Sequence, residues 1–110
     1  MEKTQIEIEY DDWHAYHDHM SKTLHVHGDC TIRGGGVAAS LEPREEQGAN
    51  QTMLMLNLRL TPTGESPSHQ PVDHRQRWDD EGIPYKEVGF VVVGGVTAPA
   101  PPALPIEDLH

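Results

Sequence analysis

Five histidines between positions 14 and 27 (His14, His17, His19, His25 and His27) are the residues best suited to chemistry, out of eight in a chain of 110. Neutral imidazole is a common metal ligand, and its reference pKa near 6.5 lets it change charge where carboxylates and lysines do not. His25, His27 and Asp29 alternate with Leu24, Val26 and Cys30. On a strand they share one face, with neighbours roughly 6–7 Å apart. Two histidines at that spacing can share a divalent ion such as zinc if a third ligand comes from elsewhere. His14, His17 and His19 are the upstream candidates. On a helical turn His14 and His17 face the same way; on a strand His17 and His19 do. Neither arrangement collects all three. A divalent-metal protein using some of these five histidines is therefore the alternative reading. The leading one leaves them as polar residues on a solvated face and an exposed loop. The chain is then a non-catalytic binding or interaction module, with no cofactor and an unidentified protein or small-molecule partner.

Other chemistries find less support. Cys30 shares its parity with Leu24, Val26 and Ile32, so it should point into a core, where a free cysteine behaves as a small inert hydrophobe. Neither a G-x-S-x-G elbow nor an H-E-x-x-H pair occurs. The Gly34-Gly35-Gly36 run is followed by no helix signal and no G-K-[ST], which a phosphate loop would need. Arg75 and Arg77 beside Trp78 could dock an anion, but Asp79, Asp80 and Glu81 follow directly and offer intramolecular ion pairs. An enzyme is not expected.

His25-x-His27 resembles the HxH that opens the first metal motif of cupins, which are small β-folds. The resemblance implies a ligand glutamate within about five residues, and here the stretch reads Gly28-Asp29-Cys30-Thr31-Ile32-Arg33. The glycine-proline-glycine-histidine pattern that should follow is absent as well.

Alternation sets the elements that must carry these residues. Residues 5–10 alternate Ile6, Ile8 and Tyr10 against Glu7 and Glu9, a half-buried strand. Residues 11–22 contain Trp13, Tyr16, His17 and Met20 at helical spacing but read better as a loop or single turn. Residues 23–33 alternate again and stop at the three glycines, where positive φ costs nothing. Residues 37–42 form a weaker strand, and 52–61 the clearest, with Leu54, Leu56, Leu58 and Leu60 on one face. Residues 72–78 and 85–94 flank a turn signal at Asp79–Gly82 and predict a hairpin. The second of these is apolar on both faces, as a central strand would be. Beyond residue 96, Pro99, Pro101, Pro102 and Pro105 predict an extended tail that cannot pair inside a sheet. Leu104, Ile106 and Leu109 make it apolar enough to lie along its own domain, the favoured outcome, or to dock into another chain as a preformed strand.

These elements predict an all-β chain: a single antiparallel β-sandwich of about six strands, immunoglobulin-like in architecture, over residues 1–96, with a proline-rich tail over 97–110. An eight-stranded barrel needs more strand than this. Leu, Ile, Val and Phe make up only 22 of the 110 residues, close to the limit for folding, so their placement in alternating runs matters. The formal charge of −10 repels phosphate backbones, which argues against nucleic acid as a partner; charging all eight histidines would bring it to −2. No run approaches the 18 apolar residues of a membrane span, and the first residues lack an apolar signal core. With one cysteine and no possible internal disulfide, a cytoplasmic, soluble protein is the expectation, with homo-oligomers open.

The order WHAYHD, LHVHGDC, LEPREEQGANQTMLMLNLRLTPTG and then a YKEV strand resembles a group of small bacterial proteins without an assigned function, over residues 12–95. That resemblance implies a single compact domain and carries no site residues.

Overall fold

Alternating apolar residues force strands, and strands are the only regular elements among the described residues. The computed structural model describes residues 4–45, 52–77 and 85–109, and contains no helix among them; none is therefore long and apolar enough to cross a membrane. Nine strands follow in order: β1 (Thr4–Gln5), β2 (Ile8–Asp18), β3 (Thr23–Ile32), β4 (Val37–Pro43), β5 (Met53–Pro62), β6 (His69–Arg77), β7 (Glu87–Gly94), β8 (Val96–Thr97) and β9 (Leu104–Leu109). Seven of them make one mixed sheet in the order β4-β5-β7-β9-β2-β3-β6, and β1 pairs with β8 in a two-stranded ladder.

The seven-stranded sheet rolls up until its edges β4 and β6 meet, giving a nearly closed barrel. The seam is latched by a side chain. Gln70 Oε1 accepts from the Ala39 backbone N–H at 2.9 Å, and Gln70 Nε2 donates to the carbonyl of Val37. Strand edges left open would otherwise expose unpaired backbone groups. Inside lie Trp13, Leu24, Val26, Cys30, Ile32, Leu54, Leu56, Leu58, Leu60, Val88 and Phe90, all buried. The Leu54–Leu60 face and the inward Cys30 stand as the alternation predicts.

The architecture corrects the antiparallel, six-stranded sandwich. β2 runs parallel to β9 and β5 parallel to β7, so the sheet is mixed. Two segments read as non-strand supply the additional length. The first is 11–18, which continues β2 through a β-bulge between Asp11 and His14. Asp12 and Trp13 together face Gly28 there, with Asp12 at φ +56°. Such a bulge inserts one residue and switches which parity faces the core. Ile8 and Tyr10 face inward before it, and Trp13, Ala15 and His17 after it, so the interrupted period imitates a loop.

The second is the tail. Leu104–Leu109 enters the sheet between β7 and β2, against the expectation that proline excludes it. Proline removes a backbone donor only where it sits. Pro105 lies in the two-residue overlap with β7, and the ladder to β2 begins at Ile106, past the last proline. The hairpin between the two strands flanking Asp79–Gly82 does not form either: β6 pairs with β3, while β7 lies between β5 and β9. The turn signal itself lies outside the described residues. β7 is the central strand its two-sided apolarity predicts.

Candidate functional site

The structure divides the five histidines into two groups. The bulge is the cause. Beyond it, odd residues of β2 point inward and even residues outward, so His17 is carried to the inner face near the end of the strand while His14 is carried to the outer face. His19 follows in the turn after β2.

At the barrel end, His17 and His19 converge with Asp108 of β9. His17 Nδ1 lies 3.2 Å and His19 Nε2 3.1 Å from the same oxygen, Asp108 Oδ1. The two imidazoles tilt 38° to one another with centres 3.9 Å apart. One ligand atom from each of the three residues falls within a group no wider than 4.8 Å. His17 is buried, at 6% exposure, whereas His19 and Asp108 are open to solvent. Hydrogen bonds from His19 and then His17 hold the Asp108 carboxyl below the usual carboxylate range, against a cost of partial burial.

The donor set is two imidazole nitrogens and one carboxylate oxygen, which suits borderline divalent ions such as Zn²⁺. Donors bound about 2.0–2.2 Å from one ion at tetrahedral angles are about 3.3 Å apart. The 3.1 and 3.2 Å separations are close to that. A three-residue set with two solvent-facing members also leaves room for water as a further ligand.

On the outer face, β2, β3 and β6 form rows in register. His14 pairs with His27 and His27 with Asp73; Tyr16 pairs with His25 and His25 with Arg75. Tyr16 stacks on His25, centres 4.8 Å apart and planes 10° apart, and meets His27 edge-on at 6.0 Å. Burial, and then the charge of Arg75, lower the pKa of His25 and favour its neutral form. Asp29, on the same face of β3, lies 3.7 Å from His69 Nε2. His25 and His27 therefore acquire neither a neighbouring glutamate nor the His17–His19 pair.

Cys30 is fully buried, and burial followed by the charge of Asp29 pushes its thiol up to about 11. Arg75 pairs with Asp73 at 3.8 Å; Trp78 and the acidic residues after it lie outside the described residues. Asp108 is the member of this cluster that the sequence does not single out. Its one signal was an acidic residue within an apolar stretch beyond the last proline. Comparison of the chain with protein-family models, with curated proteins and with solved structures finds no match.

Proposed function

We propose that this chain is a small non-catalytic binding module whose ligand is a divalent transition metal, held by His17, His19 and Asp108. The supporting observation is the convergence of two imidazole nitrogens, from β2 and the turn after it, on one carboxylate oxygen of β9, at 3.1 and 3.2 Å. His14, His25 and His27 take no part in this centre. A compartment that keeps thiols reduced suits the buried Cys30. Ligation needs both histidines unprotonated at the donor nitrogen, so protons compete with the metal for the site.

The test is elemental analysis of protein purified without a histidine tag or chelating column, followed by calorimetric titration with Zn²⁺. The expectation is an equivalent that disappears, or weakens at least tenfold, in His19→Ala and in Asp108→Asn. Unchanged binding in both variants overturns the assignment. A second reading is favoured by the same spacings, which are those of hydrogen bonds: the cluster is a clasp that fixes β9 against β2. It predicts that the two variants loosen β9 with no metal bound at all.

A further inference from the structure

The bulge in β2 places a second pair of imidazoles where two ligands of one ion belong. Cross-strand partners have Cβ atoms about 4.5–5.5 Å apart, and His14 and His27 are such partners, both exposed, with ring centres 5.5 Å apart and planes tilted by 44°. An ion about 2.0 Å from one nitrogen of each ring is about 3.2 Å from each ring centre. Angles of 90–120° at the ion then correspond to ring centres about 4.5–5.5 Å apart, which includes the separation observed. We propose that His14 and His27 form a second, solvent-facing site for a divalent transition metal with strong preference for imidazole, copper(II) foremost.

Three features of the surrounding face support it. The residue inserted at Asp12–Trp13 is what turns His14 outward; in an unbroken strand the parity of Ile8 and Tyr10 would carry it into the core. Tyr16, edge-on to His27 at 6.0 Å, restricts that ring before any ion arrives, which lowers the ordering cost of binding. Asp73 is in register beside His27 on β6, with its carboxylate 3.8 Å from Arg75 Nε. Its negative charge favours a cation, and a rotation about its side chain offers an oxygen ligand. Tyr16, His27 and Asp73 line a groove of about 410 Å³, which His14 adjoins across the β2–β3 ladder.

This site differs from the barrel-end cluster in its elements as well as its residues. Both histidines belong to the β2–β3 hairpin, so it does not depend on β9 or on the reading proposed above. The decisive experiment is NMR of the full, unaltered chain titrated with Cu²⁺ from below one equivalent to two. Ring signals of His14 and His27 broaden ahead of those of His69 and His74; broadening confined to His17 and His19, or spread evenly over all histidines, overturns the proposal. In calorimetry with Cu²⁺, His14→Ala with His27→Ala removes one equivalent or weakens it at least tenfold, while His69→Ala leaves it in place. If the double variant keeps the full wild-type stoichiometry and affinity, the site does not exist. Loss of an equivalent in His19→Ala or Asp108→Asn reports only on the barrel-end cluster, so the two assignments fail separately.

Discussion

The indole of Trp13 occupies the space that a β-carbon on Gly28 would fill. Such an atom would overlap the ring carbons Cδ2 and Cε2. The indole Nε1 donates to the Asp29 carbonyl at 3.0 Å, and the ring meets Phe90 edge-on at 5.0 Å, so it has little freedom to retreat. Glycine inside a strand ordinarily weakens it, and here it admits the largest side chain of the core. Gly28→Ala is expected to destabilise the fold by about 1–3 kcal/mol through overpacking. Urea unfolding monitored by tryptophan fluorescence measures it. A neutral Gly28→Ala would mean that Trp13 does not pack on β3.

The same contact shows what the sequence could reveal of the fold. Strand positions with an uninterrupted period were legible: Leu54 to Leu60, and Leu24, Val26, Cys30 and Ile32, all face the core. Two segments were illegible for opposite reasons. In β2 the inserted residue shifts the period, so the segment after it reads as a loop or single turn. In β9 the period spans only Leu104 and Ile106, which is too short to outweigh four nearby prolines. Pairing partners are non-local and leave no local pattern, so the parallel ladders went unread. The site divides likewise. That a strand would pair His17 with His19 follows from period two, whereas Asp108 comes within reach only after β9 has docked.

Asp12 holds the bulge with a positive φ of 56°, a conformation aspartate tolerates and β-branched residues do not. Asp12→Gly is expected to leave stability unchanged or raise it by up to about 1 kcal/mol. Asp12→Val is expected to cost about 1–2 kcal/mol. Thermal unfolding of the two variants side by side decides it. If valine were tolerated as well as glycine, the bulge would have to lie elsewhere in β2.

Cys30 makes the fold sensitive to alkali. Burial, then the charge of Asp29, moves its thiol from a reference of 9.0 to about 11. Between those values the unfolded chain releases a proton that the folded chain retains. Stability from this group is therefore complete below pH 9 and is lost as pH rises towards 11. Tyr10, raised by burial and then by Cys30, adds loss in the same direction. Cys30→Ala is expected to cost stability at pH 7 through the cavity it leaves, yet to show a shallower decline between pH 9 and 11. At pH 7 a thiol reagent should label native Cys30 only as fast as the barrel opens. Immediate labelling, or identical alkaline slopes for the two proteins, would contradict its burial.

The last strand is expected to be indispensable although it ends the described chain. β9 lies between β7 and β2, pairing two residues with the first and four with the second. Without it the seven-stranded sheet separates into β4-β5-β7 and β2-β3-β6, each three strands wide. The Gln70 latch, the short β1–β8 ladder and the bond from the Tyr10 hydroxyl to the Pro99 carbonyl would then be left to hold them together. Leu104 is buried beside Val88, and Ile106 packs on the same core. Burial of each such side chain is worth about 1.5–3 kcal/mol, against roughly 5–15 kcal/mol for a whole domain. Truncation after Ala103 also opens backbone groups along β2 and β7 and removes Asp108. The truncated chain is expected to lose its cooperative thermal transition or to melt more than about 10 °C lower, at about 4–8 °C for each kcal/mol lost. Leu104→Ala alone should cost about 2–5 kcal/mol, while Asp108→Asn, which keeps the ladder, should cost clearly less. A truncated chain that melts with the full one would place the tail outside the sheet and dissolve the barrel-end cluster with it.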